Sequence, residues 1–293
     1  MRTLGYKHWE VFPPAPKAFL ESLPDLHPLL AQVLYNRGLI EPDVIGAFLD
    51  RTVASDNPFL MKDIEPAVAL IRHVIPDGGP IIVYGDYDVD GVTATAILVI
   101  ALRSLGARVE AYIPSREDEG YGLNTEAIEA LVQQGARLLI TVDCGIRSLD
   151  EVALAQHLGL QVIVTDHHHV GAALPKADAV INPKREDCVY PFKDLAGAGV
   201  AFKLAQALLR VNRQVPLPTT QVALDETDLL DLAALGTVAD MVPLLGENHV
   251  LVERGLVDIN AARRPGLSAL IQAAGAQPGK LHRNHCFFSG PPS

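Results

Sequence analysis

Positive charge is what this sequence is short of. Lys and Arg number 24 against 35 Asp and Glu, a formal net charge of −11 at pH 7. Non-specific nucleic-acid binding rests on many Lys and Arg contacts to phosphate, so the balance argues against a protein that coats DNA or RNA through bulk charge. Any nucleic-acid contact is local, metal-mediated or supplied elsewhere. Thiols are scarce as well: Cys144, Cys188 and Cys286 are odd in number and form no Cys-x-x-Cys pair. That disfavours a thiolate zinc site or a disulfide framework and fits a reducing compartment. No apolar run reaches the roughly 18 to 20 residues of a membrane span, and the first ten residues carry no apolar signal core. The expected location is the cytoplasm, with no membrane contact. Aromatics make up only 5% of a chain that is 49% hydrophobic, which suits a core of Val, Leu and Ala in an α/β fold.

Residues 1–78 lack strand alternation and show helix-like stretches, Leu29 to Gly38 and Glu41 to Leu49, the second with proline near its start. They are expected to form a small N-terminal helical segment in which Asn36-Arg37-Gly38 is a helix cap and turn. Pro76-Asp77-Gly78-Gly79-Pro80 is a turn cluster, and beyond it strands and helices alternate. Strands are expected at Ile81 to Tyr84, Arg108 to Ile113, Leu138 to Val142, Gln161 to Thr165 and Ala179 to Ile181. Helices are expected at Val92 to Leu105, Thr125 to Gln134, Leu149 to Leu158, Ala198 to Val211 and Asp225 to Val238. Strand, helix, strand at this spacing implies right-handed crossovers and a parallel sheet with helices on both faces. The domain is placed at residues 79–275, with 276–293 as an atypical tail.

Three of the five expected strands end in potential metal ligands. The first leads into Asp86, Asp88 and Asp90, the third into Asp143, and the fourth into Asp166-His167-His168-His169. In a parallel sheet these ends share one rim, which is where open α/β sheets bind ligands. Carboxylates this close repel one another and are costly to bury unpaired. A bound cation removes that cost, and carboxylate mixed with imidazole suits Mn²⁺, Mg²⁺, Fe²⁺ or Zn²⁺. Two ions about 3.5 to 4 Å apart in such a cage clamp the attacking and leaving oxygens of a phosphoester. Other readings fit less well. An EF-hand would need glutamate where Ile97 stands. An aspartyl-phosphate phosphatase would use Asp88 as nucleophile but leaves His167 and His168 unexplained.

The ordered motifs Tyr84-Gly-Asp-Tyr-Asp-Val-Asp-Gly-Val-Thr93, Arg116 with Glu119-Gly-Tyr-Gly-Leu123, Val142-Asp-Cys-Gly-Ile146, Asp166-His-His168, Ala196-Gly-Ala-Gly-Val-Ala-Phe-Lys-Leu204 and Leu235-Gly-Thr-Val-Ala-Asp-Met-Val-Pro-Leu244 resemble the DHH phosphoesterase superfamily. Within it they are most similar to the branch of single-stranded-DNA-specific 5′ to 3′ exonucleases of DNA repair and recombination. The resemblance implies two ions, Mn²⁺ or Mg²⁺. Asp88 would hold one, Asp90 and His167 the other, with Asp143 bridging and Asp240 completing the second ion's shell. It further implies that His168 faces the phosphate, that Asp86 and Asp166 orient ligands from behind, and that Arg116 clamps a phosphate. The implied substrate is single-stranded DNA, with a single-strand-binding protein or a helicase as candidate protein partners.

The resemblance fades near Leu281. In the family an Arg- and Gly-bearing substrate-binding domain and an OB-type domain follow, whereas Gly279 to Ser293 carries no such pattern. The expectation is a C-terminally truncated or frameshifted chain with impaired exonuclease action. The alternatives are a phosphoesterase of the same superfamily acting on short oligonucleotides or cyclic dinucleotides, and a catalytically inert binding module.

Overall fold

The computed structural model describes residues 11–50, 57–115, 120 and 122–281. The chain divides into two compact units, Met1–Thr52 and Val53–Ser293.

The first unit carries α1 (Lys17–Glu21), α2 (Pro28–Asn36) and α3 (Pro42–Asp50). Proline opens α2 at the position where its missing N–H costs nothing, and the His27 ring accepts from the Leu29 N–H at 3.3 Å. Gly38, at φ +76°, closes it in the left-handed conformation that a helix end favours. The Leu39 N–H then reaches back to the Leu34 carbonyl at 3.1 Å. Asn36-Arg37-Gly38 is thus a cap and turn. Ala31 and Leu34 of α2 and Ile45 of α3 are buried.

In the second unit the elements run α4 (Ile64–Val74), β1 (Ile81–Gly85), α5 (Val89–Ser104), β2 (Val109–Tyr112), α6 (Thr125–Gln133), β3 (Leu138–Val142), α7 (Leu149–His157), β4 (Gln161–Thr165), β5 (Ala179–Ile181), α8 (Gly197–Gln214), α9 (Leu230–Ala239), α10 (Gly246–Ala261) and α11 (Pro265–Ala273). All strand pairs are parallel, in the order β2-β1-β3-β4-β5. Successive strand residues point to opposite faces, and in β1, β3, β4 and β5 both faces are buried. Ile81, Val83, Ile140, Val142, Ile163 and Ile181 pack with α4, α5, α8 and α9. Ile82, Tyr84, Leu139, Val162 and Val164 pack with α6 and α7. This two-sided burial is why these strands read as continuous apolar runs.

The turn cluster at residues 76–80 precedes β1, yet it is not where the compact unit starts. Ile64, Ala67, Val68, Ile71 and Val74 form one stripe of α4 at helical spacing and are buried in the same cluster as β1, β3 and α5. The helical segment expected over residues 1–78 therefore divides between the two units. The helix expected over Asp225 to Val238 opens instead as a 3₁₀ turn, Glu226–Leu229, whose first N–H groups are met by a reciprocal Asp225/Asp228 capping box. Buried polar side chains join the helices: Lys203 of α8 pairs with Glu247 of α10, whose other oxygen accepts from the Tyr190 hydroxyl at 2.6 Å.

Candidate metal centre

Strand order 2-1-3-4-5 means that the chain leaves β1 in one direction and resumes on its other side at β3. That reversal opens a crevice at the carboxyl ends of β1 and β3. The register decides what lines it. Gly85 is level with Val142, Val142 with Thr165, and Thr165 with Ile181. The residues that follow, Asp86, Asp143, Asp166 and Asn182, therefore leave four adjacent strands in one row, and all four are buried.

Local chemistry aims the acids around this row. Asp88 caps α5, its Oδ1 accepting the Gly91 N–H at 2.9 Å, and this cap starts the helix three residues before the expected Val92. Asp90, one residue inside the helix, is turned inward and almost wholly buried. Its two oxygens accept the Gly197 and Ala198 N–H groups at 2.6 and 2.8 Å, so the open start of α8 is closed by a side chain of α5. Asp143 sits at φ +60°, a conformation uncommon for a residue with a side chain. A Cβ at Gly197 would lie 2.7 Å from the Asp143 carboxylate, and one at Gly236 would lie 2.8 Å from Asp90 Oδ1. These two glycines keep α8 and α9 close against the acids. Asp240 arrives from the C-terminal end of α9.

Three groups of side chains present ligand atoms within 4.8 Å of one another: Asp86, Asp88 and Asp143; Asp90, His167 and Asp240; and Asp143, His167 and His168. Asp143 and His167 each belong to two of them. His167 Nε2 lies 3.1 Å from Asp143 Oδ1, 3.7 Å from Asp240 Oδ2 and 3.8 Å from Asp90 Oδ2. Neither ring nitrogen of this buried histidine makes a hydrogen bond among the described residues. A buried polar atom left in that state needs an explanation, and a cation among three carboxylates supplies one.

The electrostatics agree. Burial first, then the charges of Asp88 and Asp166, pushes Asp143 up to about 9. Burial and Asp143 lift Asp90 well above the carboxylate range against the pull of His167, and burial likewise raises Asp240. Divalent cations would reverse these shifts. Asp166 behaves differently. Burial works to raise it, but the His168 ring and the backbone N–H groups of His168 and Ile146 outweigh burial and hold it below the usual range. Its Oδ1 accepts from the His167 and His168 N–H groups at 2.7 and 3.0 Å and lies 2.8 Å from His168 Nδ1. That last bond overcomes burial and raises His168 to about 9.

Asp88, Asp90, Asp143, His167, His168 and Asp240, far apart in sequence, therefore stand together. Asp166 braces His168 and the backbone beside it. Asp86, expected behind the ligands, also presents an oxygen alongside Asp88 and Asp143. Arg116 lies outside the described residues. Sequence reasoning did not single out Gly236 or Asn182; the signal for Asn182 was its place directly after the fifth strand.

Residues 80–237 match the DHH family, N-terminal domain. The chain is 41% identical over 287 residues to the single-stranded-DNA-specific exonuclease RecJ of Bacillus subtilis (strain 168), covering 97% of this chain and 35% of that protein. It is 41% identical over 273 residues to the protein of the same name from Escherichia coli (strain K12), covering 91% and 47%. The crystal structure of RecJ from Thermus thermophilus in complex with Mn²⁺ superposes with a TM-score of 0.74 at 33% identity, over 96% of this chain and 39% of that one. The chain thus spans between a third and a half of the length of these curated relatives.

Proposed function

The chain belongs to the DHH family, and from that premise we propose that it carries the catalytic unit of a metal-dependent exonuclease that hydrolyses single-stranded DNA from the 5′ end in DNA repair and recombination. The observation that carries this reading is the pair of ligand groups, Asp86/Asp88/Asp143 and Asp90/His167/Asp240, set side by side at the switch point of the sheet. The likeness to RecJ proteins, the Thermus thermophilus one crystallised with Mn²⁺ and also with Mg²⁺, supports DNA as the substrate and Mn²⁺ or Mg²⁺ as the metal.

Asp88 and Asp143, with Asp86 beside them, would hold one ion; Asp90, His167 and Asp240 would hold the other, with Asp143 facing both. Bound ions supply Lewis acidity at the scissile phosphate and neutralise the surrounding acids. The protein supplies the rest. Asp90 keeps its orientation through the two N–H groups of α8. Asp166 engages His168 at Nδ1, so the protonated ring has Nε2–H to donate to a phosphate oxygen. The working unit comprises residues 79–275 together with α4, placed in the cytoplasm, with a single-strand-binding protein or a helicase as candidate partners.

The test is Mn²⁺-dependent release of nucleotides from 5′-labelled single-stranded DNA, run beside a dinucleotide substrate and an Asp143→Ala variant. Turnover of the long strand is expected, abolished by EDTA and reduced by about 10³-fold or more in the variant. Turnover of the dinucleotide alone would instead indicate a short-substrate phosphoesterase. Silence on both substrates, with Mn²⁺ bound, would indicate an inert binding module.

A further inference from the structure

The central strand β3, Leu138-Leu-Ile-Thr-Val142, is apolar except for Thr141. That residue is wholly buried, where packing alone would be served by valine and a hydroxyl is costly unless it is hydrogen-bonded. Its Oγ1 donates forward along the chain, to the Cys144 carbonyl at 2.8 Å. Gly145, at φ +102°, makes room for this bond, since a Cβ there would lie 2.8 Å from the same oxygen.

The bond closes a short stretch of chain around Asp143. Val142 is held by the ladder, level with Gly85 on one side and with Thr165 on the other. With Val142 fixed and the Cys144 carbonyl tied back to Thr141, the backbone of Asp143 must absorb the turn, and it does so at φ +60°. Beyond it the Ile146 N–H is held by Asp166 Oδ2 at 2.9 Å. The chain that follows Asp143 is thus fastened at both ends by buried side chains, one from β3 and one from the end of β4. A left-handed backbone at a residue with a side chain persists only where the surroundings impose it. Here the residue so held is the acid that belongs to two of the ligand groups.

We infer that Thr141 is a positioning residue of the metal centre: its hydroxyl, acting through the Cys144 carbonyl, holds Asp143 in the left-handed conformation that lets one carboxylate face both ions. The inference rests on the reading of Asp143 as a metal ligand given above. Without the hydroxyl, Asp143 is free to return to an ordinary backbone region, which turns its carboxylate away from the partners it shares with the ions. Loss of the hydroxyl should therefore weaken metal binding by the folded protein, beyond any effect on stability.

The experiment is titration of the protein with Mn²⁺ well below its Tm, followed by the electron paramagnetic resonance signal of the free ion, for the wild type, Thr141→Val, Thr141→Ser and Ile71→Val. Thr141→Val keeps the shape and removes the donor. Its Kd for Mn²⁺ should rise by about 10- to 100-fold, the range seen when a group that orients a metal ligand is lost. Thr141→Ser keeps the hydroxyl and should bind Mn²⁺ nearly as the wild type does. Ile71→Val trims a wholly buried side chain of α4, which contributes to none of the ligand groups. It should lower the Tm measured in EDTA and leave the Kd unchanged. A Thr141→Val protein with wild-type Kd overturns the inference while the metal centre stands. So does an Ile71→Val protein that loses as much affinity, since binding would then follow stability alone. A Thr141→Ser protein as weak as Thr141→Val would assign the effect to the lost methyl group and overturn it too. A wild type that takes up no Mn²⁺ sinks the metal centre and the inference together.

Discussion

At the scale of single residues, the site depends on atoms that are missing as much as on those present. Gly197 touches the Asp143 carboxylate across a gap that a methyl group cannot enter. Gly197→Ala should therefore displace either Asp143 or the first turn of α8, whose N–H groups hold Asp90. The expected result is about 1 to 3 kcal/mol of lost stability, read by urea denaturation in EDTA, together with a weaker Mn²⁺-induced rise in Tm. An unchanged Mn²⁺ response would show that the close approach is incidental. Asp86, Asp88, Asp90, Asp143 and Asp166 were legible in the sequence because they follow apolar runs at strand ends, whereas Asp240, at the end of α9, came only through the family resemblance. The orientation of Asp86 was not, since one rotamer decides whether its carboxylate faces the crevice or the turn.

Among the elements, α8 and α10 are held together by charge in a place without water. Lys203 and Glu247 are both buried, and Gln206 at 3.1 Å and the Tyr190 hydroxyl satisfy the atoms their pairing leaves over. Removing one partner strands the other, so Lys203→Ala should cost about 3 to 5 kcal/mol. Lys203→Met combined with Glu247→Leu should recover most of it. Chemical denaturation of the two variants checks this, and a double variant as unstable as the single one would contradict it. The same residues explain what the sequence concealed. Glu247, Asn248 and His249 are buried in the first turn of α10, so polar letters occupy core positions and erase the apolar periodicity by which a helix is recognised. The stripe of α4 is regular, by contrast, but regularity does not say which partner covers it. The turn at residues 76–80 looked like a boundary because Gly and Pro punctuate loops inside a domain as readily as between domains.

Across the whole molecule, the parallel sheet was legible from four apolar runs and a mixed one at Val109–Tyr112, and their spacing leaves room for the crossovers that order them. The order itself was not, because nothing in a strand's own sequence names its neighbour. At one edge lies β2, which among the described residues pairs with β1 alone, with Glu110 exposed on it. A charge on an edge strand discourages pairing with a second chain. Glu110→Val is expected to leave Tm within about 1 kcal/mol equivalent of wild type while raising light scattering on prolonged incubation; equal scattering would assign the protection elsewhere.

The dispersal of the ligand groups has a consequence in time. Asp88 leaves the ribosome roughly 150 residues ahead of Asp240, an interval of roughly 8 to 30 s at ordinary rates of translation. Until α9 emerges and docks, the nascent chain has the other members of its ligand groups without Asp240. The complete set of ligand side chains is thereby delayed until all five strands and the helices through α9 have been made.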